Sequence, residues 1–237
     1  MSLEHLSVDT LFQLIVFMFA ISIHESAHAW MANRCGDPTA RMLGRITLNP
    51  IKHIDVFGTI ILPLIAMVTG IPVIGWAKPT PVDPRNFRNP VLDDIKTAVV
   101  GPISNFVVAS GALILLVGIG RVSSTGAGFI GTIVDNYPRL ETLTQTRSVL
   151  MPLCLLMYQL LFINILLGVF NLIPVPPLDG SHVVRHLLPQ PVLRTYDAVG
   201  WIGLIALVYF APRVLWALIS PVLRFFAYIL LALIGSR

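Results

Sequence analysis

His24-Glu25-Ser26-Ala27-His28 sets two imidazoles four residues apart with a carboxylate between them. On a helix, residues four apart lie on one face, so both rings can aim at one point. Two imidazoles at that spacing suit a zinc ion, and Glu25 suits a general base that takes a proton from water at the metal. The same residues admit a blander reading, a histidine pair satisfied by hydrogen bonds inside a helical bundle. Position favours the metal. The motif ends an apolar run, Leu11 to Ile23, that reads as a membrane helix. An ionisable residue at membrane depth costs about 2.5–3.5 kcal/mol, so three in five positions need a compensating partner. A bound cation is such a partner.

The elements that must position these groups follow from composition. The chain has 237 residues, is 55% hydrophobic and only 12% charged, and has a mean hydropathy of +0.81. A soluble domain carries about 25% charged residues, so this is an integral membrane protein built of helices. The net charge of +4 reports orientation and lipid headgroups before it reports nucleic acid. Cys35 and Cys154 have no metal-type spacing and argue for no disulfide. The first apolar run lacks a basic lead and a small-residue cleavage site, and is read as a retained helix.

In chain order, Asp9 or Thr10 caps a first helix that runs to about Asn33, where Cys35-Gly36-Asp37-Pro38 stops it. Residues 40–48 roughly alternate polar and apolar, which predicts a strand. Residues 54–74 are apolar but broken by Gly58, Pro63, Gly70 and Pro72, which weakens a plain spanning helix and favours re-entry. Residues 75–84, with prolines at 79, 81 and 84, are expected to be extended. Helices follow over 94–120, 148–173, 196–211 and 213–234, with a polar loop over 121–147. The expectation is an all-α polytopic membrane protein of about five to six transmembrane helices, with a re-entrant segment and short β-strands near the cytoplasmic face, in one domain over residues 1–237. Arg34, Arg41, Arg45 and Lys52 precede the 54–74 stretch, and Lys78, Arg85, Arg88 and Lys96 follow it. The positive-inside rule puts both flanks, and the motif near them, on the cytoplasmic side of the cell membrane.

A catalytic zinc keeps three protein ligands and leaves one position for water. Asp179, in Pro177-Leu178-Asp179-Gly180, is the candidate third ligand, because Pro174, Pro176 and Pro177 break the preceding helix and let a carboxylate turn inward. Taken alone, such a triplet is more often an ordinary turn aspartate. Beside an intramembrane His24–His28 pair the balance reverses.

Three stretches together carry a resemblance. His24 through His28, Gly101-Pro102-Ile103-Ser104-Asn105, and Asn171 through Gly180 resemble the three signature motifs of the site-2 protease family of intramembrane zinc metalloproteases. The resemblance covers most of residues 10–182. It implies His24, His28 and Asp179 as ligands of one zinc ion, Glu25 as the base, and Asn171 as the residue that holds substrate or the developing oxyanion. The Gly44 stretch and Trp76-Ala77-Lys78-Pro79 are similar to those of the short bacterial and archaeal members. The chain departs from the better-known regulated members in having no room for a PDZ domain.

The residues read beside that resemblance agree in part. Water attacking a peptide carbonyl needs a polarising metal, a base and an oxyanion donor, which the Asn171 amide can supply. Asn164, Gly168 and Asn171 share a helix face, where interhelical hydrogen bonding is the alternative, and for Asn164 the stronger one. Asn105 is balanced between packing and the site, while Gly101 and Pro102 favour close helix approach. His5 and His186 read as solvated or interfacial, and His53 with Asp55 as a helix cap or a structural hydrogen bond rather than a second metal site. His182 reads as a weak candidate for supporting Asp179, and Arg121, Asp135, Arg139 and Glu141 as a solvated face. A substrate helix must unwind before hydrolysis, and residues 40–48 or 71–82 are the expected edge for pairing with it. The expected partners are therefore the bilayer and a single-pass transmembrane protein or peptide; the oligomeric state is left open. The competing function is a non-hydrolytic membrane metal-binding protein, a transporter or sensor. That reading has no need of Glu25 and expects more intramembrane carboxylates.

Overall fold

The computed structural model describes residues 8–61, 65, 76–137 and 148–235. Its helices are α1 (Val8–Cys35), α2 (Thr39–Met42), α3 (Pro90–Val122), α4 (Ser124–Asn136), α5 (Leu150–Asn171), α6 (Gly180–Arg185), α7 (Gln190–Ile205) and α8 (Pro212–Gly235). Helical turns add Pro50–Lys52, Val56–Ile61, Pro84–Asn86 and Ala206–Phe210. Among the described residues, five stretches are long and apolar enough to cross a membrane: Phe12–Cys35, Pro90–Val122, Leu150–Asn171, Gln190–Phe210 and Pro212–Gly235. Of the most apolar part of Gln190–Phe210 only 11% is buried within the protein. A helix so apolar and so exposed suits lipid, where every backbone group must be satisfied inside the segment. This is a mostly helical, multi-pass membrane protein. Most of the expected re-entrant segment, residues 62–64 and 66–74, lies outside the described residues.

The chain divides into two compact units. The first comprises Met1–Ala20, Asn105–Asn171 and Val199–Arg237. Its core is built on α5, whose Leu161 and Ile165 are buried with Leu116 of α3, Ile130 and Ile133 of α4 and Leu230 of α8. Helix α4 corrects the expectation of a loop over 121–147. Gly126, Gly128 and Gly131 weaken its intrinsic propensity by about 1 kcal/mol each. The Ser123 side chain caps it by accepting from the Gly126 N–H at 3.1 Å, and burial of Ile130 and Ile133 overrides the glycines. Within this unit Asn105 Nδ2 donates to Asn164 Oδ1 at 2.9 Å, and both residues are fully buried. Such interhelical bonds contribute on average about 0.6 kcal/mol in membranes, so the pair fixes which helix faces meet more than it stabilises them.

The second unit comprises Ile21–Ser104 and Leu172–Ala198. Helix α1 ends at Gly36, whose φ of +114° favours glycine and whose Cβ position faces the Asn86 carbonyl. Asp37 follows, fully buried, and accepts from the Thr39 N–H and hydroxyl, the Asp83 N–H and Asn86 Nδ2. Burial alone would raise its carboxyl pKa, but these hydrogen bonds hold it below the usual carboxylate range.

The expected strand over 40–48 is absent, and no strand occurs among the described residues. Met42, Leu43, Gly44 and Arg45 instead donate to carbonyls three to five residues back. Gly44 turns the chain with φ +65°. The apolar alternation is exposed: Met42, Leu43 and Leu48 are all more than half accessible. Alternation predicts a strand only where one face is buried. Residues 76–83 form no helix or strand, and Asp83 is extended. The extended run expected over 75–84 stops at Pro84, which opens the helical turn Pro84–Asn86, and residue 75 lies outside the described residues. In that strap the Trp76 N–H donates to the Gly58 carbonyl, the Lys78 N–H to the His53 carbonyl, and the Thr80 N–H to Glu25. The intervening Pro79 and Pro81 have no N–H. The described part of the 71–82 edge is therefore mostly engaged already, and residues 71–75 lie outside the described ones.

Candidate metal centre

The first half of the site comes from one turn of α1. His24 and His28 are 6% and 8% exposed, with ring centroids 4.6 Å apart and planes nearly perpendicular. His28 Nδ1 lies 2.6 Å from the Thr97 carbonyl of α3. A carbonyl can only accept, so Nδ1 carries the proton and Nε2 presents its lone pair inward. The second half comes from the proline-rich turn after α5. Gly180 is required there, because any side chain would collide with the Leu172 carbonyl. The tight return brings Asp179 Oδ2 to 3.1 Å from His24 Nε2 and Oδ1 to 3.4 Å from His28 Nε2.

These distances test the fit to a metal. The Nε2 atoms of His24 and His28 are 3.0 Å apart, and one ligand atom from each of the three residues lies within 4.8 Å of the others. Ligand bonds of about 2.0–2.1 Å in a tetrahedron put ligand atoms about 3.3 Å apart. The triad matches that spacing. Asp179 Oδ2 is buried and lacks a partner in hydrogen-bonding geometry. Three converging Lewis bases, one of them orphaned, fit a divalent cation.

Helix α3 backs the site closely. A Cβ on Gly101 would overlap the His28 ring and come within 2.8 Å of His24 Cε1. One face of α3 therefore carries Gly101 under the rings and the Thr97 carbonyl on His28. One turn earlier stands Asp94, which sequence reasoning did not single out. Its carboxylate lies 3.1 Å from His182 Nδ1 and 2.8 Å from His186 Nε2, so His186 is not merely solvated. The two histidines lie on and just beyond α6, the helix that Asp179 begins, and the Asp94 clamp fixes that helix. An His-x-x-x-His pair opposite an aspartate near a helix start was the available signal. Asp94→Ala is expected to weaken zinc binding about tenfold, the low end for outer supports of a metal site, in a competitive chelator titration.

Glu25 stands beside the triad without joining it. Its Oε2 accepts from both the N–H and the hydroxyl of Thr80, each at 2.8 Å. Asn171 closes α5 and donates to the Leu167 carbonyl at 3.0 Å, the bond of an asparagine serving its own helix. Asn164 makes its bond to Asn105 and donates to the Leu160 carbonyl, a packing role.

A family model described as Peptidase family M50 matches residues 12–210. The chain belongs to this peptidase family. Membership in M50, the site-2 protease family, agrees with the resemblance read from the three motifs. "Putative zinc metalloprotease YwhC" of Bacillus subtilis (strain 168) is 32% identical over 212 residues, covering 87% of this chain and 84% of that protein. "Putative zinc metalloprotease Rip2" of Mycolicibacterium smegmatis is 26% identical over 219 residues, covering 87% of this chain and 70% of that one. No solved structure matches the chain. As an M50 member with five apolar helices, the protein falls among membrane zinc metalloproteases.

Proposed function

We propose that this M50 protein is an intramembrane endopeptidase that uses one zinc ion to hydrolyse peptide bonds of single-pass transmembrane substrates. The observation that carries the reading is the convergence of His24, His28 and Asp179 at ligand spacing beside a carboxylate that is not a ligand. Such a fourth group has no use in a site that only binds a metal.

His24, His28 and Asp179 would hold the ion, which when bound would supply Lewis acidity to polarise a carbonyl and activate water. The Thr97 carbonyl orients the His28 ring so that its lone pair faces inward. Glu25 takes the proton of the attacking water on Oε1, the oxygen that Thr80 does not hold, and returns it to the leaving amine. Asn171 keeps one amide N–H beyond its bond to Leu167, and that donor is assigned to substrate or to the developing oxyanion. The active site opens toward the cytoplasmic side of the cell membrane, as the basic flanks Arg34–Lys52 and Lys78–Lys96 favour.

The test uses the purified full chain in lipid vesicles and a single-pass membrane helix carrying a fluorophore and quencher. Stripping with a chelator should abolish cleavage, and stoichiometric zinc should restore it. Cleavage that persists after complete stripping, or zinc-loaded protein that leaves the reporter whole, would overturn the hydrolase. Zinc flux into the vesicles without cleavage would support a transporter.

A further inference from the structure

The strap over Trp76–Asp83 meets the site at one residue. Thr80 brings two donors to Glu25: its N–H donates to Oε2 at 2.8 Å, and its hydroxyl lies within donating distance of both Oε2, at 2.8 Å, and the Glu25 carbonyl, at 2.9 Å. The local sequence prepares this contact. Pro79 and Pro81 hold their own φ near −65°, and Pro81 forces Thr80 into extended backbone. Because neither proline has an N–H, Thr80 carries the only backbone donor in the Pro79–Pro81 tripeptide. That donor is aimed at the carboxylate of an α1 residue 55 positions earlier.

We propose that Thr80 is a positioning residue for Glu25. The inference rests on Glu25 being the base. The last torsion of a glutamate is broad and roughly two-fold, so an unheld carboxylate turns freely between its oxygens. Two donors from a rigid strap pin Oε2 and leave Oε1 as the one that faces water. The hydroxyl has a single proton and two acceptors on the same glutamate, so it clamps side chain to backbone and stops the carboxylate from swinging away.

The readouts are Thr80→Val, which keeps shape and the backbone donor, and Thr80→Ser, which keeps the hydroxyl as well. In the cobalt-loaded full-length protein, Thr80→Val should move the visible ligand-field bands toward those of Glu25→Gln, whereas Thr80→Ser should match wild type. In vesicles, kcat for the fluorogenic membrane helix should fall about tenfold in Thr80→Val with KM unchanged, and Thr80→Ser should restore it. A Thr80→Val protein with wild-type bands and wild-type kcat would overturn the positioning role. So would a rise in kcat, which would make the strap a restraint on the base. Wild-type protein that takes up no cobalt through His24, His28 and Asp179 would instead sink the metal-site reading itself.

Discussion

Glu25→Gln is expected to abolish peptide hydrolysis while leaving zinc binding intact. Glutamine keeps the volume, and its amide oxygen can still accept both Thr80 donors, so the geometry of the strap survives. What it cannot do is accept a proton. General acid–base catalysis contributes about 10²–10⁴ in rate, and the loss should fall at the upper end because no other carboxylate joins the His24–His28–Asp179 cluster among the described residues. Zinc content, measured by elemental analysis of the purified variant, should stay at the wild-type level. A parallel loss of metal would make Glu25 a ligand and contradict the division of roles. Unchanged cleavage would remove the base, and with it the reason to prefer a hydrolase over a transporter.

Gly101→Ala is the second large effect, and it acts through shape. The added methyl would occupy space held by the imidazoles of His24 and His28, and neither ring can yield without leaving its partners. Overpacking costs about 1–3 kcal/mol, which, if it falls on the metal-bound state, corresponds to zinc binding weaker by about fivefold to 150-fold. Alanine is the better helix former by about 1 kcal/mol, so the loss cannot be blamed on a weaker α3. Gly111→Ala on the same helix is the control, since nothing lies within 4 Å of that Cβ position. A chelator titration should separate the two variants cleanly, and equal affinities would show that the rings have room to retreat.

Which parts of this arrangement could be read in advance follows from how far apart the interacting residues lie. The His24–His28 face is a matter of helical period, and the turn at Asp179 is announced by three prolines and a glycine within seven residues. Both are local signals. Thr80 on Glu25, Asp94 on His182 and His186, and Asp37 on Asp83 and Asn86 join residues 46 to 92 positions apart. No spacing rule reports such pairs. The strand expected over 40–48 failed for another reason. A period of two marks a strand only when a partner covers one face, and here Met42, Leu43 and Leu48 are left uncovered. Helix α4 was missed because its glycines speak louder in sequence than the two isoleucines that dock it.

Asp94, Thr97 and Gly101 occupy successive turns of α3, and each serves the centre differently: a clamp on α6, a carbonyl for His28, a bare backbone under the rings. Their common requirement is rotational phase. One residue inserted or deleted between positions 94 and 101 would swing the face by about 100° and disconnect Asp94 from Gly101. Point substitutions can wear such a centre down step by step, but a single-codon indel would dismantle it at once.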